Sequence, residues 1–195
     1  MSFHVKTKFV IGLTGSMLSG KSTALAYFKQ CGADIISCDE LARALYTRPA
    51  VLKQINAAVG TTDKKEIAAQ VFRNTAKRKA LEQILHPLIL KSVQARIRAC
   101  QQKLIVVEVP LLFEVGWDQY TDLNIAVLAD PKTLPARLQG RKLTRTEYMC
   151  RTRNQLKDSE KAARADVVFY HATKAQLKQS ITRFCKAMNL LHAKK

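Results

Sequence analysis

Gly15-Ser16-Met17-Leu18-Ser19-Gly20-Lys21-Ser22 is the stretch that decides how this chain is read. It fits G-x-x-x-x-G-K-[ST], a phosphate-binding loop. Gly15 and Gly20 let the backbone turn tightly and approach a phosphate without a side chain in the way. The loop N–H groups and the following helix N-terminus form an anion site. Lys21 offers a mobile positive charge to the β- and γ-phosphates, and the Ser22 hydroxyl can ligate Mg²⁺. The flanks agree with the motif. Phe9 to Leu13 is apolar and short, as a buried strand entering the loop would be. Ser22 to Gln30 reads as the helix leaving it, ended by Gly32.

The chain has 195 residues, enough for one sizeable core with lid-like insertions. A hydrophobic fraction of 47% beside 25% charged residues is that of a soluble globular protein. No apolar run approaches a membrane span, and the start of the chain lacks a signal-peptide pattern. Five scattered cysteines without a C-x-x-C pair read as free thiols of a reducing cytoplasm, so a cytoplasmic location is expected. The net charge of +18 fits either polyanionic small molecules, such as ATP and a phosphorylated acceptor, or nucleic acid. After Asp166 the charges Lys174, Lys178, Arg183, Lys186, Lys194 and Lys195 are unopposed by acids. Apolar residues recur there at Leu177, Ile181, Phe184, Met188 and Leu191, so the segment reads as an amphipathic helix with a solvated basic face.

Short β-branched runs alternate with helical patterns. Asp34 to Ile36, Leu104 to Val109, Leu123 to Leu128 and Val167 to Phe169 join the first strand in an expected parallel sheet. Residues 39–103 read as helical throughout, in two stripes. Ala76, Ala80, Leu81, Ile84 and Leu85 form one; Ile89, Val93 and Ile97 form another after Pro87, placed like a first-turn proline. Residues 141–164 are rich in arginine and lysine and poor in large apolar residues, and read as a weakly held helical pair able to close over phosphates. The expected architecture is α/β: a P-loop kinase core with a parallel sheet of about five strands flanked by helices, formed by 1–38, 104–140 and 165–195. Residues 39–103 are a helical acceptor-binding insertion and 141–164 a lid.

No N-K-x-D run follows a strand, which argues against a GTPase. The third strand ends in Glu108-Val109-Pro110-Leu111-Leu112-Phe113-Glu114 rather than in the acidic pair of a motor. The ordered motifs resemble those of the dephospho-coenzyme A kinase family nearly end to end. Ile11 to Thr23 resembles its I-G-L-T-G-G-x-G-S-G-K-S-T, and Cys38-Asp39-Glu40-Leu41-Ala42-Arg43 its D-A-D-x-x-A-R. Leu85-His86-Pro87-Leu88-Ile89 resembles L-H-P-x-I, and Val109 to Glu114 the distinctive V-P-L-L-F-E. Arg137 and Arg141 fall on R-x-x-x-R, Arg151, Gln155 and Lys161 on R-x-x-x-Q and its following lysine, and Ala165-Asp166 on A-D-x-V-I.

The resemblance implies ATP-dependent phosphorylation of the ribose 3′-hydroxyl of dephospho-CoA, with Mg²⁺. Gly15, Ser16, Met17, Leu18, Ser19, Gly20, Lys21, Ser22 and Thr23 would bind ATP with Arg141; Asp39, Lys21 and Arg141 would be catalytic. Asp39 follows the second strand, so it either orients the attacking hydroxyl or caps the helix Glu40 to Tyr46. Glu108 either holds Mg²⁺ through water, beside Ser22, or is a strand-end charge facing solvent. Arg43, His86 and Leu111 are acceptor-binding candidates, and His86 could instead cap a helix starting at Pro87. The competing readings are another small-molecule nucleoside or nucleotide kinase, and a basic P-loop protein that binds nucleic acid with little turnover; neither a nucleic-acid nor a membrane partner is expected. The chain departs from the family's pattern at Ser16 and Leu18, where glycines are usual, at Ser37 for the first acid of D-A-D, and at His171 and Thr173 for asparagine and glycine. Pro135, early in a helix expected from Pro131, is a local conflict. These departures imply a slower or looser enzyme rather than a dead one.

Overall fold

Strand β1 (Phe9–Thr14) is buried from Val10 onward and is the middle strand of the sheet. In this computed structural model, residues 3 and 7–192 are described, with side chains to residue 188. The Leu191 side chain, Lys194 and Lys195 lie outside the described residues. Helix α1 (Lys21–Gln30) follows the loop, then β2 (Asp34–Ser37), α2 (Cys38–Leu45), α3 (Pro49–Val59), α4 (Lys64–Arg73) and α5 (Thr75–Ala99). Strand β3 (Leu104–Glu108) and β4 (Leu123–Ala129) come next, then α6 (Leu134–Gly140), α7 (Arg145–Thr152), α8 (Asp158–Arg164), β5 (Val167–His171) and α9 (Lys174–His192).

The sheet has the order β2-β3-β1-β4-β5. Leu13 lies opposite Glu108 in β3 and Ile125 in β4, and Val127 opposite Phe169 in β5, all in parallel register. Parallel pairing puts the carboxyl ends of these strands on one edge, and chain order reverses beside β1, where such folds bind ligands. Aspartates close the opposite edge. Asp122 accepts from the Val10 N–H at 2.7 Å and Asp166 from the Asn124 N–H at 2.7 Å, while Asp34 accepts from the Gln101 and Gln102 N–H groups, both at 2.9 Å.

The chain divides into two compact units, Met1–Ile36 with Ile97–Lys195, and Ser37–Arg96. In the first, Leu13, Phe28, Ile125, Val127, Phe169, Leu177 and Ile181 share one core. Phe28, Phe169 and Phe184 meet with ring centroids 5.8–6.3 Å apart. Each fully buried side chain of this kind contributes about 1.5–3 kcal/mol. Leu177 and Ile181 are buried on α9, whereas Lys174, Lys178, Arg183 and Lys186 are exposed, which is the amphipathic pattern expected of that segment.

Two local expectations are corrected. Pro87 does not start a helix: it lies inside α5, a continuous helix of 25 residues. Leu81, Leu85, Ile89, Val93 and Ile97 are all buried, and their four-residue spacing runs through residue 87 without resetting, leaving Pro87 on the exposed side. The gain from burying that stripe outweighs the roughly 3 kcal/mol that an interior proline costs. Pro135 causes no conflict, because a short 3₁₀ turn covers Pro131–Thr133 and α6 starts at Leu134, so Pro135 occupies its first turn. Replacing Pro87 by Ala restores an interior helix donor and is expected to stabilise the protein by about 1–3 kcal/mol, read from the urea midpoint.

Candidate active site

The loop between β1 and α1 lies on the carboxyl edge of the sheet. Gly15 has φ +149°, and a Cβ there would fall 2.3 Å from the Val127 carbonyl oxygen and 2.6 Å from Ser19 Oγ, so only glycine fits. Leu18 has φ +66°, a left-handed conformation that costs a side-chain-bearing residue about 1 kcal/mol. The Leu18 carbonyl is held by the Arg137 guanidinium, Nη1 donating at 2.9 Å. Ser19 is buried, and its carbonyl accepts from His171 Nε2 at 2.8 Å. Gly20, φ +101°, is the N-cap of α1. Lys21 Nζ donates to the Gly15 and Ser16 carbonyls at 2.9 and 3.0 Å, which holds its charge over the loop. Ser22 and Thr23 occupy the first turn of α1, Ser22 exposed.

Glu108 ends β3 and is buried, 4% exposed, so the solvent-facing alternative does not hold. Leu111 is half-buried in the turn that follows, between Pro110 and the buried Leu112. Arg141 caps the end of α6 and is exposed, beside Lys142 in a left-handed conformation at φ +52°.

The Arg-rich segment has two different halves. Helix α7 starts in a capping box of Thr144 and Glu147 and buries no residue. The Glu147 carboxyl is held below the usual range by its hydrogen bonds from Thr144. Helix α8, in contrast, is tied to the core, which corrects the expectation that the whole segment is weakly held. The Lys161 side chain is fully buried, with Nζ 3.2 Å from Glu114 Oε1 and 3.4 Å from the Pro110 carbonyl. Glu114 also accepts from the Leu156 N–H at 2.8 Å. Asp158 hydrogen-bonds to Ser16 Oγ, and Gln155 Oε1 accepts from the Met17 N–H at 3.2 Å. Ser16, Leu18, Asp130, Arg137, Tyr148 and Asp158 are among the residues lining a cavity of about 90 Å³ against the loop.

In the second unit, Asp39 is exposed and lies in the first turn of α2, whose N-cap is Ser37. It is therefore not the cap of that helix; its carboxylate adds to the negative charge favoured near a helix N-terminus. Arg43 Nε donates to the Asp39 carbonyl at 3.2 Å. Arg43, Tyr46, Lys64, Ile67, Val71 and Leu81 border a cavity of about 330 Å³, mixed cationic and apolar, with Lys64 Nζ 5.7 Å from the Tyr46 ring centroid. Burial pushes the Tyr46 hydroxyl above its ordinary pKa. His86 is interior to α5, so no helix starts at Pro87 for it to cap. Burial lowers its pKa, partly opposed by Glu82.

The sequence model of dephospho-CoA kinases matches residues 9–176. The chain belongs to the dephospho-CoA kinase family. A dephospho-CoA kinase of Nitrobacter winogradskyi is 34% identical over 168 residues, which cover 82% of this chain and 84% of that protein. A crystal structure from Thermus thermophilus superposes with a TM-score of 0.84 at 29% identity, covering 94% of this chain and 98% of that one. The dephospho-CoA kinase of Campylobacter jejuni gives a TM-score of 0.66 at 25% identity, covering 92% and 96%.

In the sequence, Lys161 and Glu114 fall on separate motifs with nothing to join them. A lone basic residue in a polar, arginine-rich stretch carries no sign of burial. His171 was noted only as a departure, although the alternation along β5 puts it on the same buried face as Phe169. A histidine on such a face at a strand end needs a polar partner nearby. Thr173 has a local explanation: its Oγ1 accepts from the Gln176 N–H at 3.2 Å while Gln176 Oε1 accepts from the Thr173 N–H at 3.1 Å, a capping box that starts α9. Glu114→Gln leaves the Lys161 ammonium buried without its counter-charge and is expected to cost about 3 kcal/mol, with Glu114→Gln/Lys161→Met recovering part of it in urea unfolding.

Proposed function

We propose that this protein transfers the γ-phosphoryl group of ATP to the 3′-hydroxyl of the ribose of dephospho-CoA, giving CoA and ADP. The observation that carries the reading is a phosphate loop ending in Lys21 and Ser22, set at the carboxyl end of the middle strand, in a chain of this family. The net charge of +18 suits two polyanionic substrates.

Phosphoryl transfer depends on alignment and charge neutralisation. Residues 15–23 bind the ATP phosphates. Lys21 exchanges its loop carbonyls for phosphate oxygens. Arg141, exposed at the start of the lid segment, brings a planar, permanently charged donor to the transferring group. Asp39 accepts the proton of the 3′-hydroxyl as the new O–P bond forms and the bond to the β,γ-bridging oxygen of ATP breaks. Ser22, exposed in the first turn of α1, and the buried carboxylate of Glu108 are hard oxygen donors of the kind Mg²⁺ takes, Glu108 through water. When bound, Mg²⁺ neutralises phosphate charge.

The helical segment 39–103 binds the acceptor, through Arg43 and the cationic, apolar cavity beside it; His86 and Leu111 complete the acceptor candidates. Residues 141–164 act as the lid, with α7 as the half that has no buried residue to release. Among the described residues no helix is long and apolar enough to cross a membrane, and the free cysteines suit a cytoplasmic enzyme.

With Mg-ATP, ADP is expected to form when dephospho-CoA is supplied. ADP formed only with nucleoside monophosphates, or equally without acceptor, would overturn the assignment. Lys21→Ala and Asp39→Asn are each expected to lower kcat by at least about a hundredfold, while Asp39→Asn keeps ATP affinity within about threefold. A wild-type rate in Asp39→Asn removes that residue from the chemistry.

A further inference from the structure

His171 is 3% exposed, and its Nε2 lies 2.8 Å from the Ser19 carbonyl oxygen. A carbonyl oxygen only accepts, so the shared proton sits on Nε2. Nδ1 is buried and has no hydrogen-bond partner among the described residues. A Cβ on Gly20 would meet the same Nε2 at 3.1 Å, so the ring packs directly under the Ser19–Gly20 peptide. Asp130 N–H donates to the His171 carbonyl at 2.9 Å, which fixes the strand end that carries the ring. Next to it, Arg137 spans Leu18 and Ala172 through their carbonyls, at 2.9 and 3.4 Å.

The Ser19–Gly20 peptide needs such a hold. Glycine takes positive and negative φ about equally readily, so a peptide preceding Gly20 can turn over at small cost. In a trans peptide the C=O and N–H point in opposite directions. With its C=O turned down to His171, this peptide presents the Gly20 N–H on the opposite side of the loop, next to the N-terminus of α1. Turned over, it would present a carbonyl oxygen there instead, which repels phosphate.

We propose that His171 is a positioning residue for nucleotide binding, locking the Ser19–Gly20 peptide with its N–H toward the phosphates. This rests on the ATP-binding reading of the loop. His171→Leu removes the donor. His171→Gln restores one, because the Gln Nε2 reaches about as far along the side chain as the histidine Nε2. The measurements are Mg-ATP and Mg-ADP affinity by calorimetry, kcat and KM for both substrates, and Tm. His171→Leu is expected to weaken Mg-ATP binding and raise its KM about tenfold, with the KM for dephospho-CoA within about twofold, and His171→Gln to restore most of the loss. If His171→Leu does not fold, His171→Ser, too short to reach Ser19, takes its place with the same expectation. Unchanged nucleotide affinity in the Leu or Ser variant overturns the proposal. So does a Gln variant as impaired as the Leu variant, or a parallel rise of both KM values with a fall in Tm. A wild-type protein that binds Mg-ATP but does not phosphorylate dephospho-CoA refutes the acceptor assignment alone, because the affinity comparison still decides the role of His171. A wild-type protein that binds neither nucleotide refutes both.

Discussion

The backbone of Gly15 lies so close to the Val127 carbonyl that no side chain can stand between them. That contact seats the phosphate loop directly on the end of β4, and the loop's other neighbours follow from it. Because the paired strands are parallel, the residues after β3, β4 and β5 all emerge at the same edge. Pro110, Asp130 and His171 therefore surround a loop carried by the middle strand. Thr14, the last residue of β1, donates to the Pro110 carbonyl at 3.3 Å, joining the two central turns.

The loop is held largely through its own backbone polar groups. Lys21 takes the carbonyls of Gly15 and Ser16, Arg137 that of Leu18, His171 that of Ser19, and Gln155 the N–H of Met17. This arrangement explains how Leu18 is tolerated where glycine is usual. A left-handed leucine costs about 1 kcal/mol, and one charge-assisted hydrogen bond of the kind Arg137 makes offsets a cost of that size. Ser16 likewise has a use for its side chain, in the contact to Asp158. These two departures are accommodated by partners from distant segments rather than by neighbours in sequence.

Residues 141–164 combine a tied half and a half that buries no side chain. Helix α8 is tied through the buried Lys161–Glu114 pair, while α7 is held by its capping box and buries nothing. Regions with few buried contacts open at low free energy, so α7 opens more readily than α8. The left-handed Lys142, just after Arg141, lies in the turn that leads into α7.

The alternation of short β-branched runs with helices was enough to read the sheet, and the loop motif with V-P-L-L-F-E was enough to read the family. Both signals are local: periodicity and residue order survive in one dimension. Helix α5 was misread because a proline is a strong local mark, yet the stripe from Leu81 to Ile97 keeps its spacing straight through it, and burial along the whole stripe decides. Lys161 meets Glu114, Arg137 meets Leu18 and His171 meets Ser19 across 47, 119 and 152 residues of chain. No pattern within a segment encodes such a pairing. The sequence by itself determined that a phosphate loop sits between a buried strand and a helix in a parallel α/β protein of this family. Only the tertiary structure decided what grips the loop from outside, because Arg137 and His171, which take the Leu18 and Ser19 carbonyls, are side chains that folding alone brings to the same edge of the sheet.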